Sequence, residues 1–165
     1  MTAPDRPRGR YVRAEEDEGE RLDRHWNELL QELRLAQTGT QILFAFLLSI
    51  AFTSRFQDAD RFTHVIFCGT LVTSALAMGL FLAPVSFHRI VFQRHLRDRM
   101  IPIAGQMASA GLVLLLAAIS GGVLLALDVV MPRPIALTMV GLVLVSFITF
   151  WYVLPTWIRW TDSGR

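Results

Sequence analysis

Three groups of side chains combine types and spacings that could do chemistry. The segment 85–101, VSFHRIVFQRHLRDRMI, sets Arg89, Arg94, Arg97 and Arg99 among Phe87, Ile90, Val91, Phe92, Leu96 and Met100. On a helix Phe92, Leu96 and Met100 share a face, so the segment reads as basic and amphipathic. Each guanidinium near an anionic leaflet contributes roughly 1 kcal/mol of docking, and its planar fork matches phosphate better than an ammonium does. His88 and His95 lie seven residues apart in the same segment. Metal ligands on one helix are spaced by three or four, whereas two turns separate these by about 10 Å. No metal site is expected.

Gln37, Thr38, Gln41 and Ser49 form the second group, within the most polar of the long apolar stretches. Amides and hydroxyls in hydrocarbon must find partners. Hydrogen bonds between helices supply them at about 1 kcal/mol or less each, and the same face suits a path for a small ion. His64 forms the third. An ionisable group inside a membrane is a candidate for proton handling, but two positions from Phe62 it is expected at the interface, as an anchor.

Catalysis needs positioned acids, bases or metals. The chain has no GxSxG, HExxH, P-loop, dinucleotide fingerprint or CxxC pair, and it is not expected to be an enzyme or to hold a cofactor. A single cysteine, Cys68, excludes an internal disulfide. No nucleic-acid motif occurs.

The elements that must position these residues follow from composition. The 165-residue chain is 53% hydrophobic and only 18% charged, with a mean hydropathy of +0.42; soluble domains carry about 25% charge. All sixteen basic residues are Arg. Four apolar stretches, 36–54, 62–83, 103–127 and 135–157, contain no Asp, Glu, Lys or Arg up to residue 54 or within the other three. Nineteen residues of helix span roughly 28 Å, close to a bilayer core. Before them, 20–36 (ERLDRHWNELLQELRLA) places Leu22, Trp26, Leu29, Leu30 and Leu33 on one face. This predicts an amphipathic helix lying at the interface or packed on cytoplasmic loops, with Trp26 as a lipid or partner contact.

The fold class expected is therefore all-α. It is a four-helix transmembrane bundle with an N-terminal amphipathic interfacial helix and a basic amphipathic cytoplasmic loop, 85–101. Pro84 marks the end of the second span. The membrane domain runs over 20–160, between a disordered cytoplasmic tail, 1–19, and a C-terminal tail, 161–165. Thirteen arginines fall on the side of the termini and of 85–101, against Arg55, Arg61 and Arg133 on the other. The positive-inside rule then puts both termini in the cytoplasm.

Two further features concern packing. Gly69, Thr73 and Ala77, and Ala118, Gly122 and Ala126, form stripes of small residues along the second and third spans. Such stripes let backbones approach closely, within one chain or between copies. Asp128 and Arg133, five residues apart across a proline-bounded turn, are expected to pair.

The run ERLDRHWNELLQELRLAQTGTQILFAFLLSIAF at 20–52 and APVSFHRIVF at 83–92 resemble a family of small four-span membrane proteins of actinomycete-type bacteria, a domain of unknown function. The likeness covers about 20–160. Trp26, the Glu-Leu-Leu-Gln-Glu-Leu-Arg run at 28–34, Gln37-Thr38-Gly39, Gln41 and the Ala83-Pro84…His88-Arg89 corner carry it. The resemblance implies a multi-pass protein of the bacterial plasma membrane and no catalytic residue. Some members bear a sodium:proton antiporter label, although the spans here lack the mid-membrane carboxylates such antiporters use. Two functions are expected to compete. One is a non-enzymatic scaffold that binds lipid, with anionic headgroups favoured, or a partner through its cytoplasmic layer. The other is a small ion transporter or channel subunit, working as a homo-oligomer.

Overall fold

One apolar seam organises the start of the chain. Trp26, Leu29, Leu33, Ala36, Thr40, Leu43, Leu47 and Ile50 recur at alternating spacings of three and four, the period that keeps one stripe of an α-helix against a neighbour. In the computed structural model, which describes residues 18–91 and 97–162, all eight are buried or half-buried on a single helix, α1 (Glu18–Ala51). The seam of 20–36 is in phase with that of the first span, so nothing requires a bend between them. The separate interfacial helix is thereby corrected. Its residues are the first half of a 34-residue rod, about 51 Å long and so roughly 20 Å longer than a bilayer core. Leu29 and Leu33 pack on Ala77, Phe81 and Leu115 of the bundle. Of the expected N-terminal tail, Glu18 and Gly19 are already helical and 1–17 lie outside the described residues.

Thr53 stops the first span. Its Oγ1 accepts from the Phe56 N–H at 3.3 Å and caps a single turn, α2 (Ser54–Gln57). Next come α3 (Arg61–Val91), α4 (Arg97–Val130), α5 (Arg133–Ile148), a π-helical stretch (Thr149–Val153) and α6 (Leu154–Asp162). Four helical segments are long and apolar enough to cross a membrane: Gly19–Ala51, Arg61–Phe87, Ile101–Val130 and Arg133–Thr161, with mean hydropathies of 1.3, 2.2, 2.5 and 2.2.

Pro84 does not end its helix, contrary to expectation. Pro84 is fully buried and α3 continues past it to Val91. An internal proline forfeits one backbone hydrogen bond and bends the helix. Pro84 lines a crevice of about 20 Å3 together with Trp26, Ala104 and Met107. Of the expected loop 85–101, residues 85–91 and 97–101 are helical, and 92–96 lie outside the described residues. Its ends are the last turns of α3 and the first of α4, with Pro102 inside α4. At Pro155 the helix widens instead. The ring crowds the carbonyl one turn back, and the Leu154 N–H reaches the Thr149 carbonyl in a π-turn. The Tyr152 hydroxyl inside this stretch is buried without a hydrogen-bond partner.

The core is three helices rather than four. α3 and α4 form the tightest pair, α1 packs on both, and α5 leans chiefly on α4. Two clusters fill the three-helix interior. Leu33, Ala77, Phe81 and Leu115 occupy one end, and Leu47, Phe67 and Leu125 the other. Only Ala136 of α5 is buried. Apolar side chains such as Leu35, Ile42, Phe46, Leu142 and Val145 stay exposed, more apolar surface than water-soluble monomers tolerate and compatible with lipid. Two glycines set the α3–α4 approach. A Cβ on Gly111 would stand 2.5 Å from the Phe81 ring, and one on Gly121 would strike Thr70. Of the expected stripes, Ala77 and Ala118 are fully buried and Gly122 faces Leu43 of α1. Gly69 instead has open space around it.

Candidate functional site

The densest polar geometry lies where α3 and α5 begin and α4 ends. Asp60 precedes the first residue of α3 and caps it. Its Oδ1 accepts from the Thr63 N–H at 3.0 Å and from the Thr63 hydroxyl at 2.6 Å. Arg133, the first residue of α5, donates from Nη2 to Asp60 Oδ2 at 2.9 Å. The same guanidinium grips Asp128 through Nε to Oδ1 at 3.0 Å and Nη2 to Oδ2 at 3.1 Å. This is the forked geometry that distinguishes Arg from Lys. The Thr63 hydroxyl also lies 3.3 Å from Asp128 Oδ2, and the Phe62 ring sits 4.2 Å beneath the guanidinium carbon. The two Thr63 hydrogen bonds, helped by Arg133, hold the Asp60 carboxyl well below its ordinary 3.8, at about 2.

The Asp128–Arg133 pair is the one the proline-bounded turn suggested. Asp60 was not anticipated as its third member. The sequence does carry a signal for it, Asp followed three residues later by Thr at the mouth of an apolar run, which is a helix-start pattern. What that pattern lacks is any hint that the spare carboxylate oxygen meets Arg133, two spans away.

Beside this cluster is a cavity of about 590 Å3 between the end of α1, the α2 turn, the first turn of α3 and the last turn of α4. Phe46, Ile50, Leu125 and Val129 wall it, and Thr53, Asp58, Thr63 and Asp128 supply its polar lining. Phe56 also borders it, in tilted ring contact with Phe67 at 4.4 Å and with His64 at 4.7 Å. His64 is thereby fixed in the first turn of α3. Its Nδ1 lies 3.0 Å from the Asp60 carbonyl oxygen, to which that nitrogen donates. The residue is half-buried at the end of the bundle, away from its middle.

The polar residues of α1 turn outward. Thr38, Gln41 and Ser49 are exposed and Gln37 is half-buried. The Thr38 and Ser49 hydroxyls donate to the carbonyls of Arg34 and Ala45 one turn back. The interior polar residues are others: Thr40, Thr70, Ser74 and Ser120. Each donates its hydroxyl to a carbonyl of its own helix, those of Ala36, Ile66, Thr70 and Leu116. Spacing alone did not separate these four from the outward set.

At the opposite end, Trp26 is half-buried against Pro84 and Ala104 and so is engaged by the bundle itself. Glu28 pairs with Arg24 along the exposed face of α1 at 3.4 Å. The side chains of Arg89, Arg94, Arg97 and Arg99 lie outside the described residues. A second cavity, about 550 Å3 and almost wholly apolar, opens between α1 and α4 with Trp151 at its edge. Among the described residues no three His, Cys, Asp or Glu side chains gather as metal ligands.

A family model described as "Family of unknown function (DUF6328)" matches residues 15–155. No curated protein and no solved structure matches the chain.

Proposed function

We propose that this chain, which belongs to the family of unknown function DUF6328, is a non-enzymatic integral membrane protein that works by binding. Its contact layer is the N-terminal half of α1 together with the turns around 85–101. Anionic lipid headgroups, or an acidic partner, are what that layer takes through Arg89, Arg94, Arg97 and Arg99. The arginine bias supports a cytoplasmic position for the layer and both termini, and the resemblance supports a bacterial plasma membrane.

One observation carries the reading: the middle of the bundle is packed shut, while Thr38, Gln41 and Ser49 of α1 are exposed. Leu47, Phe81, Thr40 and Ser74 are fully buried, and the interior hydroxyls are satisfied within their own helices. An interior packed this closely leaves no room for a hydrated ion to pass, whereas an exposed polar surface is suited to contact. The test is lipid retention. The protein is purified from membranes in mild detergent and its bound lipids are measured, beside a variant carrying Arg89→Gln, Arg94→Gln, Arg97→Gln and Arg99→Gln. Selective retention of phosphatidylglycerol by the native chain and its loss in the variant is expected. Equal retention by both overturns the role of the arginines.

The outward set favours a second reading. Thr38, Gln41 and Ser49 lie along exposed α1, so copies meeting on this face would place a polar lining between them. The chain would then be one subunit of a small ion transporter. Sodium or proton flux into liposomes, abolished by Gln41→Leu, is the expected sign. Equal leak with and without protein removes it.

A further inference from the structure

The cavity beside Asp60 has a one-sided chemistry. At about 590 Å3 it falls within the range of small-molecule sites, roughly 300–1,000 Å3. Its walls are hydrocarbon and aromatic, from Phe46 and Ile50 on α1 and Leu125 and Val129 on α4. Its polar side chains are all acceptors with no proton to spare. The Thr53 hydroxyl donates to the Ile50 carbonyl at 2.8 Å, and the Thr63 hydroxyl donates to Asp60. Asp58 and Asp128 are carboxylates, which only accept when ionised. Arg133 meets Asp128, while Asp58 has no ion-pair partner among the described residues. No basic side chain among the described residues lines the space.

We infer that this cavity binds a free amphiphilic organic cation, an apolar body carrying a single ammonium head. The body lies on Ile50, Leu125 and Val129, where burial supplies affinity. The head meets the Asp58 carboxylate, with Asp128 and the two threonine oxygens as further acceptors. An anionic head, or a lipid headgroup that brings its phosphate with it, would face carboxylates and find no cation among the described residues of the lining. Selectivity therefore comes from what the wall repels as much as from what it attracts. This site is at the opposite end of the bundle from the basic layer, and neither reading depends on the other.

The test uses the full chain in phosphatidylcholine nanodiscs and calorimetric titration with 4-phenylbutylammonium, whose N–H groups can donate to the acceptors of the lining. The neutral 4-phenylbutanol and the anionic 4-phenylbutyrate are the controls. Saturable binding of the cation alone is expected. Asp58→Asn should weaken it about ten-fold, the scale of one charge-assisted hydrogen bond. Asp58 serves the α2 turn through its backbone N–H, so the amide leaves that turn intact. Val129→Trp, at an exposed position on the wall, should narrow the space and weaken binding with an unchanged melting temperature. Equal binding of the alcohol, or native affinity in both variants, overturns the assignment. Displacement of the probe by phosphatidylethanolamine in the disc gives the site to a lipid headgroup and also overturns it.

Discussion

Arg133 and Asp60 join the first turns of two spanning helices, Nη2 to Oδ2 at 2.9 Å, while the same guanidinium holds Asp128 at the end of α4. One side chain thus ties the tightest pair, α3 and α4, to the spanning segment with the least burial of its own. α5 has a single buried residue, Ala136, so its position relies on this clamp more than on a core. Arg133→Lys keeps the charge but loses the fork. It is expected to lower the melting temperature in detergent by a few degrees, and Arg133→Gln by more, because Asp128 is left largely buried without its cation. Adding Asp128→Asn to Arg133→Gln should recover part of the loss, a coupling that a double-mutant cycle by circular dichroism measures.

The clamp also has a pH signature. Asp60 titrates at about 2 in the folded chain against an ordinary 3.8. A depressed carboxyl stabilises the fold in its ionised form, so its contribution is complete above its unfolded value and is lost as the pH falls through the folded one. The melting difference between the native chain and Asp60→Asn should be constant down to about pH 4. It should shrink between there and pH 2. A difference that disappears around neutral pH would contradict the hydrogen-bonded cap.

Glycines in the same helix pair should respond in opposite ways. Gly121→Leu forces a side chain onto Thr70 and should cost about 1–3 kcal/mol of overpacking. Gly69→Ala has open space and should be neutral or gain up to about 1 kcal/mol from helix propensity. Reversible unfolding in mixed micelles separates the two. Similar losses at both positions would mean that the α3–α4 crossing is rotated from the one described.

Leu33 tests the continuity of α1. It is nearly fully buried against Ala77, Phe81 and Leu115, so Leu33→Ala should destabilise the bundle by about 2–4 kcal/mol. Were residues 20–36 a separate helix on the membrane surface, the same change would leave bundle unfolding untouched. Gly39→Ala, with nothing near the added Cβ, should be harmless or mildly stabilising.

The candidate sites divide along the same line as the fold. Asp128–Arg133 could be read because five residues and two prolines leave the pair little choice of direction. The cavity beside it could not, since Ile50, Asp58 and Val129 come from three separate parts of the chain. Gln41 and Thr40 are neighbours of similar polarity, yet one is exposed and the other fully buried. The three-and-four spacing through Leu33, Ala36, Thr40, Leu43 and Leu47 resolves them only once the seam is followed unbroken from 20–36 into the span.

Hydropathy and period are local properties, and they alone determined that four helical segments here can cross a membrane, that α1 carries a seam, and that arginine is concentrated toward one side. Contacts between helices are not local. Which glycine touches a neighbour depends on how each rod is turned about its own axis, and that rotation is set by α1, α3 and α4 filling one shared interior. Tertiary packing therefore chose Gly121 over Gly69, carried α3 through a buried Pro84, and brought Asp60 within reach of Arg133.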